Sequence, residues 1–371
     1  MKSYGSCQTI RMGAVFVAIT LPILGLHPAG LMALVIGMIS QGLGLGILEA
    51  CNNAQAILVQ KDTNTTHMGL FQALLAFGGF IGAIIGGSMS EIGISLLFNF
   101  ISVSIVLLPI SFAATVPLYT HEEERAILES LEERYTILED QHSETKEEAG
   151  SQLRTAEEED LEGGSPATKK TKETFPYNLI YSLGFVGFIA YLGEESIGDW
   201  SPIYFKLNLH ASPFTSAFSY ALFTLAVAAT RLSSDYVVQY FSRTDLLFIS
   251  GVLSFCGLFL TVCANVVKGT IVPILMALIG LCLCGIGLGF PAPLILAMAG
   301  DIEGLEPRTA VAILSTITYA GLIIGPLLLG GVAFAAGLEW AFLVVACLFI
   351  AFVIISLTNA IPDAGDIAAS D

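Results

Sequence analysis

The sequence predicts an all-α fold, a polytopic membrane helical bundle of about ten transmembrane helices, four before a long polar segment and six after it. Three observations predict it. Hydrophobic residues make up 54% of the 371 and charged residues only 13%, with mean hydropathy +0.77, whereas soluble domains carry about 25% charged residues. The apolar runs repeatedly reach about 20 residues, the length that crosses roughly 30 Å of hydrocarbon. They do not alternate as lipid-facing strands would, so each reads as a helix that satisfies its own backbone.

The spans fall near 11–26, 29–59, 67–90 and 93–119, then 176–205, 213–241, 245–267, 270–299, 308–337 and 339–359. The first lacks a clean small-residue cleavage site and reads as a true span rather than a leader. The expected domains are an N-terminal half (1–119), an acidic central loop (120–175), a C-terminal half (176–360) and a short tail (361–371). Residues 121–174 hold 17 acids and 7 bases, so they supply −10 of the net charge of −17. This is a solvated loop rather than the footprint of a nucleic-acid partner. Within it, Leu128, Leu131, Tyr135 and Leu138 recur at helical spacing, which predicts an amphipathic helix over 126–141. The polar remainder has the composition of a disordered segment, and Ser165-Pro166 before Lys169-Lys170 is a weak phosphorylation signal.

The seven cysteines form no CxxC and no His/Cys cluster, and read as small apolar packing residues. No metal or cofactor is expected, and no nucleophile–base constellation points to an enzyme. Parity puts both termini and the central loop on one side, with Lys2, Arg11, Lys61, Arg231, Arg243, Arg308 and the loop's bases. Only Lys206 and Lys268 lie opposite, so the positive-inside rule makes the first side cytoplasmic. Asn64-Thr65-Thr66 is a glycosylation sequon on that inner side, where it stays unmodified.

The stretch Tyr191–Phe205 carries Glu194, Glu195, Asp199 and Trp200 inside an otherwise apolar span. An insertion-scale cost of about 2.5–3.5 kcal/mol per central carboxylate marks such residues as functional candidates that line a polar path. Glu195 and Asp199 are one turn apart, while Glu194 is turned about 100° from Glu195, so the three are not expected to share one face. On this reading no base stands at mid-membrane to neutralise them. Arg231, at the cytoplasmic end of its span, is expected to latch to Asp235. Glu49 and Asn53 in the second span are also one turn apart and face one way.

The halves echo one another: Gly42, Gly44 and Gly46 match Gly285, Gly287 and Gly289, and Gly78, Gly79 and Gly82 match Gly321, Gly325 and Pro326. Spans one to four therefore pair with seven to ten, and the glycines read as sites of close helix approach. Two helical halves joined by a long cytoplasmic link, with Arg231-Leu232-Ser233-Ser234-Asp235 and Arg243 as a loop signature, resemble the major facilitator superfamily. Within it the sequence is similar to the fucose-permease-like branch and its bacterial inner-membrane relatives. The carrying residues are Gly44…Leu48-Glu49…Asn53, Glu194 with Asp199-Trp200, and Tyr319, Gly321, Gly325 and Pro326. Phe71-Gln72 stands where relatives have Phe-His. The first span aligns with family helix three, so family helices one and two have no counterpart.

The resemblance implies a secondary transporter of a small polar solute, a sugar being expected, coupled to protons by alternating access and acting as a monomer. It implies proton coupling at Glu49 and Glu194, solute binding by Asn53, Gln72, Asp199, Trp200 and Tyr319, and gating by Arg231 and Asp235 and by helix breaks at Pro291 and Pro326. The alternative is a membrane scaffold or sensor, or an inactive remnant, which the acidic loop and Gln72 favour.

Overall fold

A computed structural model describes residues 5–26, 30–63, 68–127, 129, 176–300, 302 and 307–357. The amphipathic segment beyond residue 129, the sequon, Ser165-Pro166 and the tail lie outside the described residues.

Among the described residues the structure is helical. The long helices are α1 (Gly5–Leu24), α2 (Leu31–Thr63), α3 (Met68–Glu91), α4 (Leu96–Ala114), α5 (Pro176–Leu207) and α6 (Pro213–Val237). They continue with α7 (Arg243–Cys263), α8 (Ile271–Gly289), α9 (Pro291–Gly300), α10 (Pro307–Ala336) and α11 (Leu338–Leu357). Nine apolar stretches here are long enough to cross a membrane, with α8 and α9 counting as one of 29 residues. Helix α5 has 32 residues and adds the tenth; Glu194, Glu195, Asp199 and Lys206 keep it off a purely apolar criterion.

By packing, α1, α2 and α4 form one compact unit, and α3 groups with α5 to α11 in a second. In the first unit α1 packs on both α2 and α4; in the second, α7 packs on both α8 and α11. This is the pairing the internal repeat demands, since α1, α2 and α4 correspond to α7, α8 and α11.

Polar side chains fasten the first unit. The Gln41 amide donates to the Val17 carbonyl and the Thr20 hydroxyl between α1 and α2. Gln55 donates to the Ser6 hydroxyl and the Tyr119 carbonyl, and accepts from the Tyr119 N–H. Glu124 takes both the N–H and the hydroxyl of Ser6 at 3.0 Å. The chain re-enters helix at 121–127, earlier than the expected 126, because Thr120 and Glu123 form a capping box. The Thr120 N–H and hydroxyl donate to the Glu123 carboxylate at 2.8 and 2.9 Å. These bonds hold the Glu123 carboxyl below the ordinary carboxylate range.

The second unit is built by close helix contact. Van der Waals fit and hydrogen bonding hold helices together where lipid is as apolar as the side chains. Helix α10 lies on α5 at Gly321 and Gly325: a Cβ on Gly321 would sit 2.5 Å from the Phe188 carbonyl oxygen, and one on Gly325 2.8 Å from the Ser196 hydroxyl. A Cβ on Gly285 would meet the Phe223 carbonyl at 2.7 Å and one on Gly289 would meet Thr230 at 2.5 Å, so this run does permit close approach. In the matching run of α2 only Gly44 meets a neighbour, Val17. Gly42 and Gly46 face open space, so the packing expectation holds for one half and for a single glycine of the other.

Two proline expectations separate. The eighth span is interrupted at Phe290, before Pro291, where α8 ends and α9 begins. Helix α10 runs unbroken from Pro307 to Ala336 through Pro326, so the expected break there is corrected. Contact with α5 one residue earlier, at Gly325, supports that stretch of the helix from outside.

Candidate functional site: an acid-lined chamber

The site starts from a tight hairpin. Helix α5 ends at Leu207, His210 turns the chain at φ +51°, and Ser212 caps α6 by accepting the Thr215 N–H, with Pro213 at the first helical position. At the end of α3, the Glu91 carboxylate accepts the Phe214 N–H at 2.9 Å, placing an acid on the N-terminus of α6. These contacts fix the register of α3, α5 and α6.

That register brings Arg231 to Glu194. Glu194 lies 13 residues before the end of α5 and Arg231 18 residues after the start of α6. At 1.5 Å per residue their backbones stand at levels differing by roughly 7 Å. The long arginine side chain covers that difference. Its Nη2 lies 2.8 Å from both oxygens of Glu194, with the side chains 11% and 20% exposed. The expectation that no base reaches the acids is therefore corrected, while the expected Arg231–Asp235 latch falls on a side chain, that of Asp235, outside the described residues. Arg231 Nε is buried without a hydrogen-bond partner.

Around the pair is a chamber of about 310 Å³ lined by Leu75, Ala76 and Gly79 of α3, by Glu194, Glu195, Gly198 and Asp199 of α5, and by Tyr220, Phe223, Thr224, Val227 and Arg231 of α6. The lining that α3 contributes includes the small residues Ala76 and Gly79, which leave room there. All three carboxylates line it. Their 100° spread around α5, which argued against a shared face, is spanned because α3 and α6 both border the same space.

The other expected residues fall elsewhere. Trp200, one residue past Asp199, is turned toward α10, where a Cβ on Gly330 would lie 3.6 Å from its ring. Tyr319 meets Tyr191 edge-on at 5.9 Å beside a cleft bordered by Ala292, Ile295 and Thr318. Gln72 occupies a register position on the α3 stripe that continues through Ala76 and Gly79, and its side chain lies outside the described residues. Glu49 is exposed and Asn53 half-buried on α2, in the first unit. The sequence reading missed Tyr220 and Thr224. Their signal was the spacing 220, 223, 224, 227, 231, one helical face ending on the arginine.

An ion pair and further carboxylates around an interhelical chamber of a helical membrane protein mark a candidate functional site. The comparisons supply the family. The Major Facilitator Superfamily model matches residues 1–302 and 183–367, and the chain belongs to that family of membrane transporters. It is 24% identical over 349 residues to an uncharacterised MFS-type transporter of Yersinia pestis, covering 94% of this chain and 77% of the relative. It is likewise 24% identical to an uncharacterised transporter of Sinorhizobium fredii, covering 95% and 80%. Among solved structures, the proton:xylose symporter XylE bound to 6-bromo-6-deoxy-D-glucose superposes with TM-score 0.56 at 14% identity, over 96% of this chain and 80% of that one. That likeness concerns the fold.

Proposed function

We propose that this chain is a secondary transporter that moves a small polar solute, a sugar, across the membrane by alternating access and couples that movement to protons. The observation that carries the reading is the chamber: about 310 Å³ of space inside an apolar bundle, bordered by three carboxylates, a guanidinium and the hydroxyls of Tyr220 and Thr224. Its volume stands at the lower end of the range for small-molecule sites, about 300–1,000 Å³, a size suited to a monosaccharide. The XylE likeness supports the sugar class, since that protein carries xylose on the same fold.

In this account Asp199 and Thr224 bind solute hydroxyls, while Glu194 alternates between Arg231 and a proton. A proton reaches Glu194 only when the pair opens, so protonation and rearrangement of α5 against α6 become one event. A ligand or proton shifts the balance of two conformers only through its different affinity for each. A closed and an open ion pair supply that difference. Glu49 is assigned a second proton-coupling role, Gln72 and Tyr319 further solute contacts, and the termini and central loop the cytoplasmic side.

The direct test is binding. Purified protein is heated in detergent with D-glucose, D-xylose or L-fucose, one at a time. A bound sugar at 100 times its Kd stabilises by about 2.7 kcal/mol, which raises the unfolding temperature measurably. The reading requires at least one sugar to do so and Asp199→Asn to weaken the effect. A panel with no shift in either protein removes the sugar assignment.

A further inference from the structure

The acid-lined chamber is not alone on its face of the bundle. A second cavity of about 600 Å³ lies along the same three helices. It is lined by Ala83, Gly86, Gly87 and Ser90 of α3, by Pro202, Ile203, Lys206 and Leu207 of α5, and by Pro213, Ser216, Ala217 and Tyr220 of α6. On every helix the second lining continues the first at helical spacing: 75, 76, 79 into 83, 86, 87, 90; 194, 195, 198, 199 into 202, 203, 206, 207; and 231, 227, 224, 223, 220 into 217, 216, 213. The stripe on α3 spans about 22 Å at 1.5 Å per residue, so the two cavities lie end to end along most of a membrane's thickness.

One side chain borders both, Tyr220. Its ring stands between two glycines. A Cβ on Gly79 of α3 would come within 3.1 Å of its hydroxyl, and one on Gly198 of α5 within 3.4 Å of its ring edge. The ring thus crosses from α6 into the space that α3 and α5 leave open by lacking side chains there. The second cavity has its own polar equipment. Ser216, 5% exposed, has a buried hydroxyl without a hydrogen-bond partner, and Lys206 brings an ammonium group. Both donate hydrogen bonds, in contrast to the carboxylates at the other end.

We propose that the α3–α5–α6 face holds two subsites in series, a mostly apolar one that carries Lys206 and Ser216 as donors and an acid-lined one at Glu195 and Asp199, with Tyr220 as the steric barrier between them. The Lys206 subsite receives oxygen-rich or anionic groups. The tyrosine must swing aside for anything larger than water to pass. This rests on the transport reading for its purpose, but the barrier itself is measurable without any transported solute.

The probes are two membrane-impermeant methanethiosulfonates, one bearing a sulfonate and one a trimethylammonium group, applied to sealed vesicles containing the full chain. Reaction at Ser216→Cys or Thr224→Cys is followed by mass spectrometry of the peptide carrying that site, which separates it from the native cysteines. From whichever membrane side Ser216→Cys reacts, Thr224→Cys reacts slowly while Tyr220 is intact. Adding Tyr220→Ala raises its rate by about tenfold or more, equivalent to roughly 1.4 kcal/mol of barrier, whereas Tyr220→Phe leaves it slow. Tyr220→Leu, which keeps apolar bulk but lacks the ring's reach, gives an intermediate rise and serves if the alanine variant fails to fold. At Ser216→Cys the sulfonate reagent outpaces the cationic one, and Lys206→Ala removes that preference. An unchanged Thr224→Cys rate in both Tyr220→Ala and Tyr220→Leu overturns the barrier, and the absence of a Lys206-dependent charge preference overturns the donor subsite. Neither result depends on whether sugar is transported.

Discussion

Arg231→Met removes the cation that holds both oxygens of Glu194 at 2.8 Å. With charge centres about 4 Å apart and an effective dielectric near 20, the attraction is about 4 kcal/mol before desolvation is counted. Removing one member of a buried pair strands the other, and such losses run at about 3–5 kcal/mol. The pair keeps some exposure, 11% and 20%, so the lower end applies. Arg231→Met and Glu194→Gln are each expected to destabilise the protein by about 3 kcal/mol, while the double variant, which strands no charge, loses clearly less than their sum. The assay is a double-mutant cycle: unfolding of purified protein by denaturing detergent in mixed micelles, followed by far-ultraviolet ellipticity. The expected coupling is about 1–3 kcal/mol. Additivity within about 0.5 kcal/mol would mean that the two side chains do not depend on each other, and the mechanism built on their alternation would fall with that result.

Further outcomes follow from other parts of the molecule. Gly321→Leu drives a side chain into the Phe188 carbonyl, where even a Cβ would sit at 2.5 Å; it should destabilise by about 1–3 kcal/mol, whereas Gly42→Leu, facing open space, should stay near wild type in the same unfolding assay. Glu49→Gln is expected to abolish pH-driven uptake in proteoliposomes while leaving counterflow exchange, and retained driven uptake removes Glu49 from coupling. Glu123 provides a pH test. Its carboxyl is held low in the folded chain by Thr120, so the cap's stabilisation is present above the unfolded carboxylate range and lost as pH falls through the folded value. Backbone exchange over 120–127, corrected for the intrinsic rate, should lose protection at acid pH, and Glu123→Ala should already lack that protection at neutral pH.

The bundle was legible from composition because a membrane leaves few alternatives: twenty apolar residues in a row have nowhere else to go. The internal repeat was legible for a similar reason. Glycines at matched positions mark where backbones meet, and Gly285 and Gly289 do meet their neighbours. What stayed hidden was reach across helices. A linear reading placed Arg231 at the end of its span and handed it the nearest acid in sequence. The register fixed by Ser212, His210 and Glu91 brings the guanidinium to Glu194, 37 residues away, an acid that reading had left without a base. Trp200 shows the converse. Adjacent to Asp199 in sequence, it is turned about 100° from it on the helix and lies against α10. Tyr220 escaped notice because it is neither charged nor part of a motif; its standing comes from Gly79 and Gly198, which lie on two other helices.

The central claim is tested most directly by proton-driven accumulation. The full chain is reconstituted into proteoliposomes, an inward proton gradient is imposed, and uptake of labelled D-glucose, D-xylose and L-fucose is followed with and without a protonophore. The account predicts that at least one sugar accumulates above its external concentration, that the protonophore abolishes the excess, and that Glu194→Gln does the same. Folded protein, verified by the Glu194–Arg231 coupling, that accumulates none of the three with the gradient in place would contradict it.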